Sequence, residues 1–304
     1  MKLFVCDRVG NDLPNESLDF DVKPFCYIDG VQITDNPSVA DHIAPRINKW
    51  MGSCDDFGKL RESELYKEFG EKFVFYNLDD IPTCLHEDDV GIKFVAMPMF
   101  NWVENMKSNV VMVPLLDEKY LWDRDDIIEE HRYDSRPYEY VFVGGIGTSG
   151  PKSVRTQRDF VLDFVDRDDS LVVDTTHKKS MFHVTKSWKI DRFQREYMEK
   201  LSKGRFGFCP VGQGLNSYRV GECMRLGVVP IVVGHKCLPL EPYINWNECA
   251  LMFDTQDEVT HDNIRKQLGD RKCEDMGKLC IDVWEKYFRP ENLCKFLYEE
   301  FLEK

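Results

Sequence analysis

Residues 204–233 constrain the fold more than any other stretch of the chain. The apolar run Phe206 to Cys209 stops at Pro210, the loop Val211-Gly212-Gln213-Gly214-Leu215-Asn216-Ser217 follows, and 217–226 carries helical spacing before Val228-Val229-Pro230-Ile231-Val232-Val233. That last run has no polar position, so both faces of the strand must be covered, as in a parallel sheet flanked by helices. A glycine-bearing loop that leads from a strand into a helix is also an anion-binding device. Free N–H groups and the positive end of the helix dipole converge there. Asn216 or Ser217 is expected to cap the helix, and Gly212 and Gly214 would let anion oxygens approach the main chain.

The same alternation runs through the whole chain. Strands are expected at Leu3 to Cys6, Phe73 to Tyr76, Phe94 to Met97 and Val110 to Leu116, and again at Tyr140 to Val143, Leu171 to Val173 and Leu251 to Phe253. Helical patterns fall near 59–70, 152–165 and 191–203. Repeated β-α units mean an α/β fold with parallel sheets. At about 150 residues per domain, 304 residues suggest two of them. The charge-dense segment 123–139, interrupted by Pro137, places the boundary between 1–135 and a second domain, 136–285. Residues 286–304 are expected to form a C-terminal helix that packs back toward the first domain, with Arg289-Pro290 dividing two helical stretches.

Charge separates the halves. Residues 1–140 carry 15 Lys+Arg and 29 Asp+Glu, whereas 141–304 carry 25 of each, so the whole formal charge of -14 sits in the first half. Within the second half, 141–253 holds 16 basic and 12 acidic residues. Such a field repels nucleic acid and anionic lipid as partners, and an anionic ligand must bind at the locally basic segment. The N-terminus offers too short an apolar run for a signal peptide, and no run reaches the roughly 18 apolar residues of a membrane span. The 11 cysteines are scattered, with no C-x-x-C, which fits a reduced, cytoplasmic compartment.

On the helix after the loop, Arg219, Glu222 and Arg225 recur every third residue and share a face. Arg219 could bind a diphosphate, and Glu222, one turn on, could accept both hydroxyls of a ribose. The spacing equally suits an ion-pair ladder on a solvated face. Gly212-Gln213-Gly214-Leu215-Asn216-Ser217 approximates a dinucleotide fingerprint, but Ser217 replaces its third glycine. No Asp or Glu lies between 223 and 240 to take the ribose, so a nucleotide-dependent oxidoreductase is the weaker alternative.

Taken in order, Phe206-Gly207-Phe208-Cys209-Pro210-Val211-Gly212, Ser217-Tyr218-Arg219-Val220-Gly221-Glu222, Gly227-Val228-Val229-Pro230-Ile231, Leu238-Pro239 and Ile244-Asn245-Trp246 resemble the core of the exostosin-like glycosyltransferases, family 47. Upstream, Val141-Phe142-Val143-Gly144-Gly145 with Arg155 and Arg158 is similar to that family's F-x-G-G and Arg element. The resemblance implies a GT-B fold, two Rossmann-like domains facing across a cleft, and an inverting transfer from a UDP-sugar to a hydroxyl of an oligosaccharide or glycan acceptor. It assigns the ribose to Glu222, the diphosphate to Arg219 and the Gly212 to Ser217 loop, and the phosphates from across the site to Arg155 or Arg158. The UDP-sugar is then a co-substrate, and no cofactor or metal is required. The chain resembles the compact soluble members of the family, some of which act on pentoses, and this leans the donor toward a pentose such as UDP-xylose. The first 135 residues match only loosely.

An inverting transfer needs a base for the acceptor hydroxyl. Carboxylates just past first-domain strands are the candidates: Asp7, Asp79 and Asp80, and Asp117, each of which also suits a loop or cap. Asp19/Asp21, Asp123/Asp125 and Asp166/Asp168 form Asp-x-Asp pairs, about as many as chance provides in a chain this rich in Asp. A catalytically silent glycan-binding protein on the same fold is the remaining alternative.

Overall fold

The computed structural model describes residues 2–6, 32–45, 60–77, 91–95, 110–114, 125–132, 135–146, 156–176, 187–211, 216–235 and 238–303. The chain divides into two compact units. One joins Met1–Pro114 to Arg289–Lys304, and the other is Leu115–Phe288.

The first unit holds two small parallel sheets. Strands β1 (Lys2–Cys6), β2 (Gln32–Thr34) and β3 (His42–Pro45) pair in the order β2-β1-β3. Helix α1 (Glu64–Phe69) is capped by the Ser63 hydroxyl, which accepts from the Tyr66 N–H at 3.2 Å. After it, β4 (Val74–Asn77), β5 (Ile92–Val95) and β6 (Val110–Met112) pair in sequence order. Leu3, Ile43 and Phe73 are wholly buried, and a bridge from Ile43 to Phe73 links the two sheets. The sequence reading finds four of these strands. It sets β5 two residues late, extends β6 past Met112, and passes over β2 and β3, whose short mixed sequences QIT and HIAP carry no apolar run. The C-terminal helix Pro290–Leu297 belongs to this unit, starts on Pro290 and buries Leu293 and Leu297. His42 Nε2 donates to the Leu302 carbonyl at 2.9 Å.

The second unit opens with α2 (Asp125–His131), which therefore lies ahead of the boundary read at 136. Its place is physical. Arg195 bonds both Asp126 and Glu130, and Arg225 bonds Asp125. Strands β7 (Tyr138–Gly144), β8 (Ser170–Asp174), β9 (Gly204–Pro210), β10 (Val229–Val233) and β11 (Leu251–Phe253) form one parallel sheet in the order β11-β10-β9-β7-β8. Between them run the helices α3 (Ser187–Leu201), α4 (Tyr218–Leu226) and α5 (Trp246–Cys249), and after β11 come α6 (His261–Leu268) and α7 (Cys273–Val283). The segment expected as an α-helix at 152–165 is wound as a 3-10 helix over Thr156–Phe164. Phe160, Val161 and Phe164 are buried from it in the core.

Phe208 centres that core. Its ring lies 4.7 Å from Phe164, 5.3 Å from Phe160 and 5.7 Å from Tyr140, the last nearly parallel. Every residue of β10 is buried, as its unbroken apolar run requires. Helix α4 ends on Gly227 at φ 70°, a left-handed cap whose N–H bonds carbonyls of the last turn. The sheet reverses its order between β7 and β9, since the chain leaves β7 for β8 on one side and returns to β9 on the other. Ligands of open parallel sheets bind at the carboxyl ends of the strands at such a switch point. Among the described residues, no helix is long and apolar enough to cross a membrane.

Candidate functional site

The carboxyl ends of β7, β9 and β10 gather an unusual set of side chains. Arg219, in the first turn of α4, reaches back to β7, where Nη2 donates to the Val143 carbonyl at 3.0 Å. Its guanidinium lies 4.6 Å from the centre of the Phe142 ring. A Cβ at position 144 would stand 2.5 Å from that Nη2, so Gly144 is what admits the arginine. Arg158, from the 3-10 helix, donates through Nη1 to the Gly145 carbonyl at 2.8 Å. Two guanidiniums are thus anchored two residues apart on the end of β7.

Electrostatics sets these two arginines apart from the ion pairs elsewhere in the unit. Burial, and after it the neighbouring charge of Arg219, pushes the Arg158 guanidinium down to about 10. Burial also works against the charge of Arg219, but the carboxylate of Glu222 one turn on helps hold it above its ordinary value. The Nε atoms of both arginines are buried with no hydrogen-bond partner. Like charges held together with unused donors are the arrangement that an anion relieves.

Glu222 lies one turn beyond Arg219 and is 9% exposed. Its Oε2 accepts from the Tyr197 hydroxyl of α3 at 2.5 Å. Burial, then the Glu222 charge, raises the phenol well above its usual range, so Tyr197 keeps its proton and donates. The third residue of the expected ladder goes elsewhere. Arg225 is 3% exposed, stacks 4.4 Å from the centre of the Trp284 ring and bonds Asp125 on α2. The helix face is split between a site and a structural contact, and is not a solvated ladder.

His235, just past β10, is within 3.2 Å of the Cys209 carbonyl through Nε2. A carbonyl only accepts, so the ring proton sits on Nε2 and Nδ1 is left as an acceptor, buried and without a partner. Burial pushes the imidazole down to about 4, which keeps it neutral. At the start of α4, Ser217 occupies the cap position but its side chain makes no capping bond. Asn216 Oδ1 instead accepts from the Ser217 N–H at 2.7 Å. Both are buried.

Of the residues singled out in the sequence, Arg158, Asn216, Ser217, Arg219 and Glu222 therefore lie on the carboxyl-end side of the five-stranded sheet. Arg155, Gly212 and Gly214 lie outside the described residues, as do Asp7, Asp79, Asp80 and Asp117. The sequence reading passes over Tyr197. Tyr197 is one aromatic among several on an amphipathic helix, and no local pattern ties it to a carboxylate 25 residues away.

Comparison with known proteins places the chain in a family. The exostosin GT47 domain matches residues 70–268, more than half of the chain and across the whole of β7 to β11. The Exostosin-1 homolog of Caenorhabditis elegans is 23% identical over 285 residues, covering 86% of this chain and 70% of that protein. With its parallel α/β sheets of the GT-B class, the chain belongs to the exostosin GT47 family and is a glycosyltransferase.

Proposed function

We propose that the protein transfers a sugar from a UDP-sugar to a glycan hydroxyl with inversion, and that the unit Leu115–Phe288 holds the donor. The observation that supports this most is the Arg158 and Arg219 pair at the switch point between β7 and β9, two half-buried guanidiniums anchored on the same strand end whose buried Nε donors are unused. A diphosphate supplies the missing anion, and the start of α4 adds its dipole. Glu222 then takes the ribose diol, and the Gly212 to Ser217 loop and Arg155 complete the phosphate contacts.

In the reaction, the acceptor oxygen bonds to the anomeric carbon as the bond from that carbon to the diphosphate oxygen breaks. The acceptor proton passes to a carboxylate, for which Asp7, Asp80 and Asp117 of the N-terminal residues are the candidates. Charge that develops on the leaving UDP is stabilised by Arg158 and Arg219. UDP-xylose is the first donor to try.

Calorimetric titration with UDP, uridine and a panel of UDP-sugars tests the reading. UDP should bind and uridine bind far more weakly. Glu222→Ala and Arg219→Ala should each weaken UDP about tenfold or more. Unchanged UDP affinity in both variants would refute the site. We also propose that no tightly bound metal is needed, so that transfer by the purified protein persists in excess chelator; its complete loss there would overturn this.

A further inference from the structure

Glu222 is not oriented by its own helix alone. The terminal torsion of a glutamate is broad, so the plane of its carboxylate is set by whatever bonds its oxygens. Here an O–H from a different helix does so, 2.5 Å from Oε2, in a pair whose carboxylate is almost wholly buried. An O–H to carboxylate bond of this kind is short and strong. A carboxylate has several acceptor positions, and the phenol occupies one of them. Arg219, one turn earlier on α4, faces the same pair, so the phosphate and ribose ends of the site share one set of charges.

We infer that Tyr197 is a positioning residue for the donor nucleoside: its hydroxyl fixes the Glu222 carboxylate in the plane that two vicinal hydroxyls of a ribose require. The inference rests on the reading of Glu222 as the ribose acceptor. Tyr197 acts through Glu222 and need not touch the donor. Its removal should therefore be felt by ligands that carry the diol and not by ligands that lack it.

The test uses the full chain and two probes, UDP and 2′,3′-dideoxy-UDP, titrated by calorimetry into wild type and Tyr197→Phe. Phenylalanine keeps the ring and removes only the donor. Wild type should prefer UDP by about tenfold or more, the range of a hydrogen bond to a charged group. In Tyr197→Phe the UDP dissociation constant should rise about tenfold while that of the dideoxy probe changes by less than about twofold. The preference for the diol then collapses. Equal weakening of both probes would mean a general disturbance of α3 against α4, and would overturn the inference, as would an unchanged preference. Wild type that fails to distinguish the probes would instead overturn the assignment of Glu222 to the ribose, and the inference with it. Melting temperatures without ligand, taken for both proteins, show whether the variant is folded when it is titrated.

Discussion

Arg158 and Arg219 are held with buried Nε donors that no partner takes, and the charge of Arg219 works against that of Arg158. Replacing one should therefore affect the empty and the liganded protein in opposite senses. Arg158→Met removes a buried like charge, so the unliganded protein should unfold at equal or higher denaturant concentration. UDP affinity should fall by about tenfold to a hundredfold, while that of uridine stays within about twofold. Denaturant melts and calorimetry read the two effects separately. His235 makes a second prediction. Its folded value of about 4 lies below the ordinary 6.5, so between those values the unfolded chain holds a proton that the folded one does not. Its contribution is complete above about pH 6.5 and is lost as pH falls toward 4, by up to about 3 kcal/mol. Chemical melts at a series of pH values should show that loss in wild type and a flatter profile in His235→Asn. In sequence, Arg219 and Glu222 are legible because they sit at fixed offsets behind a glycine-bearing loop. The state of His235 is not, because its burial and its bond to Cys209 come from a neighbouring strand.

Among the elements, the β9-loop-α4-β10 unit is the most legible, since an unbroken apolar strand and a glycine-ended helix leave few alternatives. Gly227 carries the turn between α4 and β10 at φ 70°, and a Cβ there would come 2.9 Å from Ile281 Cδ1 of α7. Gly227→Ala should cost about 1–2 kcal/mol or more, from the left-handed backbone and from displaced packing. Urea denaturation measures it directly, and a cost near zero would mean that the turn relaxes. Elements that carry no such signature were misread or missed. Strands β2 and β3 have three and four residues and no apolar period, and they exist because β1 lies between them. The 3-10 segment Thr156–Phe164 covers Phe208 and Tyr140 with Phe160 and Phe164, and helical periodicity does not distinguish its winding from an α-helix.

For the molecule as a whole, the charge and the division into units run together: the formal charge of -14 lies in residues 1–140, and the second unit is Leu115–Phe288. Every described residue proposed to bind the donor lies within Leu115–Phe288, whereas Arg289–Lys304 belongs with the N-terminal residues. A chain ended after Phe288 should therefore keep its thermal shift with UDP while the N-terminal unit becomes sensitive to limited proteolysis, having lost buried Leu293 and Leu297 and the bond from His42 to Leu302. Loss of the UDP shift in that chain would show that the donor site extends beyond its unit. The α/β class, the family and the placing of Arg219 and Glu222 on one helix are legible in the sequence, because each is written in a period or a spacing of a few residues. Only the tertiary structure decided that Arg219 anchors on a strand 76 residues away, that Tyr197 meets Glu222 across 25, and that Arg225 leaves the site for Trp284. Those pairings depend on which strands lie side by side, and that order is set by burial of the whole sheet, which no local stretch encodes.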